Sequence, residues 1–305
     1  MNQTFKDHKS GKDHKSGFIA ILGPPNGGKS TLLNRLLEQK ISITSSKPQT
    51  TRNRILGIVN KPKSQLIFLD TPGIHRAKNI FNERIVNLAL STLAEVDLIL
   101  VVFDVTKSDP CSEKILIEAI RKYPYPAILA LNKIDLIEKP NLLLLMDKWA
   151  KAHPFKEIVP ISAKKGYNID EFIDALEANL PKGPRYFPED CLTDLPERFI
   201  VAEIIREKVF RLTGQEIPYA TMVTIDSFSE RKKKPLVKIN GTIHVEQNSQ
   251  KGIIIGKKGS KLKRIGEDAR KEIERLLSSP VFLKLFVRVQ KNWSKDTKAL
   301  RRFGY

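Results

Sequence analysis

Eight consecutive residues, Gly23-Pro24-Pro25-Asn26-Gly27-Gly28-Lys29-Ser30, fit the pattern G-x-x-x-x-G-K-[ST]. Glycines at this spacing let the backbone curl until its N–H groups point at phosphate oxygens. A helix opening at once afterwards adds its positive end. In such a loop Lys29 reaches the β- and γ-phosphates and Ser30 ligates Mg²⁺. Gly23, Asn26, Gly27, Gly28 and Thr31 complete the cradle. Asn26 is placed either to help hold a monovalent cation such as K⁺ against the phosphates or simply to brace the loop.

A second element, Asp70-Thr71-Pro72-Gly73, offers an acid that can hold Mg²⁺ through water and a Gly73 N–H that can approach the γ-phosphate. A third, Asn132-Lys133-Ile134-Asp135, is a base reader. Its Asp135 carboxylate accepts from N1–H and the 2-amine of guanine; adenine has neither donor and would leave the carboxylate unpaired. Asn132 and Lys133 brace that loop and flank the base, and Ser162-Ala163-Lys164 supplies a backbone N–H for guanine O6.

Further along, Ile254-Ile255-Gly256-Lys257-Lys258-Gly259 fits the G-x-x-G loop of a KH domain. Two glycines allow close backbone approach to a sugar–phosphate chain. Lys257, Lys258 and the nearby Lys261 meet its charge, and Ile253, Ile254 and Ile255 are read as a floor for bases. The alternative is a helical hairpin whose lysines face solvent.

These motifs need elements to position them. Continuous apolar runs at 18–22, 66–69, 98–103, 127–131 and 158–161 read as strands buried on both faces. Helical patterns at 31–38, 81–94, 113–122 and 169–178 lie between them. Alternation of this kind predicts an α/β fold with a mostly parallel sheet. The run 54–59 precedes the 66–69 strand by only a short turn, which predicts one antiparallel strand in a mixed sheet. After it come a helix near 198–212, strands at 219–225, 236–245 and 281–289, and a long helix over 260–277. That order predicts a smaller α+β domain.

The expected divisions are a disordered basic tail over 1–16, a nucleotide domain over 17–180, a proline-rich linker over 181–198 and an RNA-binding domain with a basic tail over 199–305. Within the first tail, Asp-His-Lys-Ser-Gly occurs twice, too polar to repay ordering by burial.

Composition agrees. Lys plus Arg, at 53, exceed Asp plus Glu, at 34, and residues 231–305 alone hold 21 basic against 6 acidic residues. Charge concentrated at one end argues for a face that meets nucleic acid or an anionic membrane surface. The two cysteines, Cys111 and Cys191, have no metal-ligand spacing and exclude a disulfide scaffold. No apolar run has transmembrane length and no leader pattern opens the chain, so a cytoplasmic location is expected.

Taken in order, the nucleotide motifs resemble those of translation-factor-related GTPases. With the KH module they closely resemble the bacterial Era GTPase family over roughly 17–300. The resemblance implies GTP or GDP and Mg²⁺ as ligands. It implies binding to the 3′ end of small-subunit ribosomal RNA and to the small subunit, in whose maturation the family acts, with some peripheral membrane association; a monomer is expected. Gln49-Thr50-Thr51-Arg52 becomes the first switch, with Thr51 favoured over Thr50 as the Mg²⁺-contacting hydroxyl, beside Ser30 and Asp70. Lys29, Thr51 and Gly73 are the expected catalytic contacts. The GTP state should order residues 41–53 and 71–80. Where signalling GTPases carry a water-orienting Gln, this chain has Ile74, so slow intrinsic hydrolysis is expected, with a partner or a cation supplying what is missing. His75 is read as a bystander. Pro24 and Gly27 depart from the basic residue and Val usual in the family's phosphate loop.

Overall fold

The structure is a computed structural model. It describes residues 13–45, 51, 53–74, 86–87, 89–214, 217, 221–230, 236–291 and 293. Thr50, His75 and the basic run 231–234 lie outside the described residues, as do the rest of 46–50, Arg52 and the rest of 75–80 in the two switch stretches.

A six-stranded sheet holds the first part of the chain, in the order β2-β3-β1-β4-β5-β6. Its strands are β1 (Lys15–Leu22), β2 (Ile55–Lys61), β3 (Ser64–Asp70), β4 (Leu98–Asp104), β5 (Ala127–Asn132) and β6 (Glu157–Ile161). β1, β3, β4, β5 and β6 run parallel, and β2 pairs antiparallel with β3 from Ile55↔Asp70 to Lys61↔Ser64, the expected hairpin. Both faces are covered, so β3 and β4 are buried along their whole length. The covering helices are α1 (Lys29–Leu36), α2 (Pro110–Ile120), α3 (Lys139–Ala152) and α4 (Ile169–Ala178). Asp109 caps α2 by accepting from Ser112 N–H, and Pro110 occupies the first turn, where its missing N–H costs nothing.

α3 has no counterpart among the expected helices. Leu142, Leu143, Leu144 and Leu145 run consecutively instead of at helical intervals, and Trp149 is its single buried residue, stacked on Phe103 at 4.2 Å. In the expected helix at 81–94, the described residues 86–87 and 89–91 are helical and lead into a 3₁₀ turn, Thr92–Glu95.

Two expectations are corrected. The tail does not extend to residue 16: Lys15 and Ser16 pair in β1 with Ser64 and Gln65, and His14 Nδ1 meets the Gly183 carbonyl at 3.1 Å. The proline-rich stretch, read as a linker, is strapped along β2. Ile58 N–H donates to Leu192 O (2.9 Å), Asn60 to Glu189 O (2.9 Å) and Thr193 Oγ1 to Leu56 O (2.6 Å). β2 is an edge strand, and the strap satisfies backbone groups an open edge would expose.

A three-stranded sheet, β7-β8-β9, holds the rest. α5 (Glu197–Leu212) precedes β7 (Met222–Glu230) and β8 (Val237–Val245), an antiparallel pair; then come α6 (Asn248–Ile255), α7 (Ser260–Leu277) and β9 (Val281–Val289), parallel to β8. α6 and α7 are separated only by the G-x-x-G loop. Residues of one face of this sheet, including Val223, Ile239, Ile243 and Val281, join Ile204, Ile265 and Ile273 from the helices in a continuous apolar core.

Candidate functional site

Parallel strands bring their C-terminal ends to one edge of a sheet, and ligands bind there where the strand order reverses. Here β1 lies between β3 and β4. The four nucleotide motifs follow β1, β3, β5 and β6, and all meet at that edge.

The phosphate loop is held from below. Gly28 has φ 97°, and a Cβ there would stand 2.1 Å from Asn132 Nδ2, so only glycine fits. That same Asn132 amide donates to Gly27 O (2.9 Å), while its oxygen accepts from Lys133 N–H (2.8 Å) and Ala163 N–H (3.0 Å). One side chain thereby ties the phosphate loop to both base-reading loops. Gly27, where the family usually has Val, lies close under β4: an added Cβ would meet Val102 O at 2.9 Å.

Lys29 is 6% exposed and donates to Gly23 O (3.0 Å) and Pro24 O (2.9 Å). Burial lowers its pKa to about 8, with Asp70 pulling the other way. Burial likewise pushes the Asp70 carboxyl above its ordinary range, against the opposing pull of Lys29, Ser30 and Ser42. Ser30 Oγ donates to Asp70 Oδ2 (2.8 Å) and lies 2.8 Å from Thr51 Oγ1; Ser42 Oγ also donates to Asp70 Oδ2 (3.1 Å). Asp70 Oδ1 is buried and, among the described residues, has no hydrogen-bond partner. Two hydroxyls and a half-satisfied carboxylate form a set of hard oxygen donors that suits Mg²⁺. Thr31, Lys29, Ser30, Thr51, Gly73 and Lys133 line one cleft.

At the base-reading end, Asp135 Oδ1 accepts from Ser162 Oγ at 2.6 Å. Lys133 adopts φ 72°, and its ammonium donates to Asn26 O (2.9 Å) and pairs with Asp104. Burial raises the Asp104 carboxyl, but hydrogen bonds from Lys133 and Thr106 outweigh it and leave the group below its usual range. Asp104 was not among the expected residues; its place as the last residue of a buried strand at the same sheet edge is the signal that could have found it. Arg35, also unexpected, donates to Ala163 O (3.0 Å) and Lys164 O (2.7 Å) and so anchors the 162–164 loop to α1. Ile74 is fully buried in the core, its N–H bonded to Gly23 O.

The other loop stands apart and differs in kind. Gly256 has φ 72°, and an added Cβ would lie 2.7 Å from Lys261 Cβ; beside Gly259 there is open space. Lys257 and Lys258 are exposed. Ile254 does not line a surface floor as expected: it is fully buried in the core, and the isoleucine that reaches solvent is Ile253, with Ile255 half-buried between them.

A charge cluster joins the two parts beside the cleft. Lys40, after α1, pairs with Glu207 of α5 (2.6 Å) and Glu272 of α7. Glu207 also binds Arg211 and accepts from Thr44 N–H at 3.4 Å; Lys208 pairs with Glu272. Thr44 lines the nucleotide cleft.

Comparison with known proteins matches both halves. A family model described as a 50S ribosome-binding GTPase fits residues 18–133, and a KH domain model fits 216–294. GTPase Era of Geobacter metallireducens is 54% identical over 95% of this chain and 98% of its own length. That of Staphylococcus haemolyticus is 45% identical over 96% and 98%. Among solved structures, Aquifex aeolicus Era bound to GDP and AlF₄⁻ superposes with TM-score 0.91 at 45% identity, covering 95% of this chain and 99% of that one. Era in complex with MgGDPNP and nucleotides 1506–1542 of 16S ribosomal RNA gives 0.92 at 45% identity, covering 96% and 99%. With near-complete coverage at such identity, and with both loops in place at one sheet edge and between two helices, the chain belongs to the Era GTPase family.

Proposed function

We infer that the protein is a GTP-hydrolysing switch that binds the 3′ end of 16S ribosomal RNA through its KH loop and assists maturation of the small ribosomal subunit. The observation that carries this reading is the joining of an Asn132-braced phosphate loop and an exposed, lysine-bearing G-x-x-G loop in one chain whose relatives include an Era–MgGDPNP–16S RNA complex.

In the switch, Lys29 and the N–H groups of residues 26–31 hold the phosphates, and Asp135 with the 162–164 loop selects guanine. Ser30 and Thr51, with Asp70, would hold Mg²⁺, which when bound neutralises charge on the phosphate oxygens. Gly73 N–H meets the γ-phosphate. Ile74 orients no water, since its alkyl chain is buried and has no polar atom. Turnover is therefore slow until a partner or a cation supplies the missing group. The Lys40–Glu207–Glu272 cluster carries the nucleotide state to the RNA-binding part, because residue 44 touches the cleft at one end and Glu207 at the other.

No helix among the described residues is long and apolar enough to cross a membrane; a cytoplasmic protein with a peripheral membrane fraction is the location we favour. The direct test measures phosphate release from GTP and from ATP, and the affinity of a 16S 3′-end oligoribonucleotide with GTP analogue or GDP bound. Release from GTP alone, with RNA affinity that differs between the two nucleotides, is expected. Equal RNA affinity in both states would remove the switch from the reading.

A further inference from the structure

Among the described residues β9 is the edge of the small sheet, paired with β8 alone. Successive strand residues point to opposite faces. Leu283, Leu285, Val287 and Val289 face the helices and pack on the core. Phe282, Lys284, Phe286 and Arg288 take the other face, and all four are exposed. The two rings are 55% and 46% exposed, so neither serves the fold's interior. Lys284 Nζ lies 5.0 Å from the centre of the Phe286 ring. In the register with β8, Lys238 stands beside Phe282 and Asn240 beside Lys284, while the partners of Phe286 and Arg288, Thr242 and His244, are buried. On β7, Asp226 is engaged by Thr242 Oγ1 (2.6 Å) and Thr224 Oγ1 (3.3 Å).

Rings alternating with cations suit one kind of occupant. A protein interface concentrates apolar residues at its centre and keeps lysine out. An extended single-stranded nucleic acid presents bases and phosphates in turn, and takes aromatic platforms set among cations. At about 3.4 Å per residue, Phe282 and Phe286 stand roughly 13 Å apart, far enough to carry separate bases.

The inner face of β9 packs against the helix that the G-x-x-G loop opens. Leu285 Cδ1 lies 3.7 Å from the position a Cβ of Gly266 would take. Gly266 is in the second turn of α7, about 10 Å along its axis from Gly259. Phe286 points to the opposite face of β9 from Leu285, so an RNA strand held at the loop would have to round the edge of β9 to reach it.

We propose that the outer face of β9 is a second RNA platform, on which Phe282 and Phe286 stack bases while Lys284 and Arg288 meet phosphates of a strand continuous with the segment held at the Gly256–Gly259 loop. This rests on the RNA reading above and adds to it a surface on the side of the sheet opposite the helices.

The test compares a four-nucleotide RNA, about the length such a loop clamps, with a 16S 3′-end oligoribonucleotide roughly three times as long, by fluorescence anisotropy. The longer RNA should bind the full-length protein at least about tenfold more tightly. Combined Phe282→Ala and Phe286→Ala should remove that gain, with about a fivefold loss or more for each ring, and leave the short RNA unaffected. Phe286→Trp should keep the gain and Phe286→Leu should not, which separates stacking from simple apolar cover. Lys284→Ala with Arg288→Ala should reduce the salt slope for the longer RNA by about 0.7 per cation. If the short RNA binds and the longer one gains nothing, or the double phenylalanine variant binds the longer RNA like the unaltered protein, this proposal fails while the loop assignment stands. If the short RNA does not bind at all, both fail. Loss of binding to phosphatidylglycerol vesicles, with RNA binding unchanged, would reassign the face to lipid.

Discussion

The phosphate loop and the G-x-x-G loop both set lysine directly beside glycine to meet phosphate, yet they are built in opposite ways. Lys29 is buried, held by two backbone carbonyls and faced by a buried carboxylate. Lys257 and Lys258 stand in solvent. A desolvated charge interacts strongly over a short range and punishes a ligand of the wrong shape; an exposed one acts through a screened field and counts charges. The first design suits one compact polyanion with a particular base. The second suits a long chain whose phosphates repeat. Their glycines differ accordingly: an added Cβ at Gly28 would meet another loop's side chain, whereas Gly259 faces open space.

The sharpest way to break the comparison is Gly28→Ala. Its methyl would displace Asn132 and with it the tie among three loops, so GDP affinity measured by calorimetry should fall at least ~100-fold, about 2.7 kcal/mol. RNA affinity of the nucleotide-free protein should be unchanged. Next in size is Gly256→Asp, which crowds Lys261 and adds a negative charge where phosphate must approach. Filter binding should show RNA affinity lower by at least ~30-fold, about 2 kcal/mol, with GDP affinity intact. In the unaltered protein, contact with about four phosphates predicts a slope near −3 for log K against log salt; a slope near zero would place the RNA somewhere other than an exposed basic loop.

A smaller effect concerns protons. Free Lys29 titrates at about 8, and bound phosphate favours its charged form, raising that value. GDP affinity should therefore be full below pH 8 and fall as pH rises through it, with a proton taken up on binding in that window. Calorimetry in buffers of different ionisation heat reads this uptake, and its absence would mean that Lys29 is already charged in the free site. The smallest effect is expected at the joint between the parts. Lys40→Ala leaves Glu207 with Lys208 and Arg211, so stability should drop by no more than about 1 kcal/mol in thermal melts. The difference in RNA affinity between GTP-analogue and GDP states should shrink.

Much of the architecture was readable from spacing. Runs apolar on both faces could only be strands of a covered sheet, and β6, α4, α7 and β9 fall within a residue of where periodicity puts them. What escaped has physical causes. α3 hides because the exposed Leu143 and Leu144 fill the gaps in the stripe that Leu142, Leu145, Met146 and Trp149 make at helical spacing, so the period is blurred. Prolines over 181–196 do signal an irregular stretch, but its hydrogen bonds to β2 are one backbone pair and two single side chains meeting carbonyls, Asn60 and Thr193, which make no repeating pattern in the sequence. Ile254 and Ile253 are chemically identical, and only the turn of α6 decides which one is buried.

Local chemistry settled which stretches of this chain can curl around phosphate or admit a sugar–phosphate backbone, because those abilities depend on neighbours within about six residues. Contacts between distant positions belonged to the tertiary structure: Ser30 with Thr51 and Asp70, Lys133 with Asp104, Lys40 with Glu207 and Glu272. Each joins side chains brought close by packing, and that closeness follows from how the sheets and helices bury their apolar faces, not from any spacing along the chain.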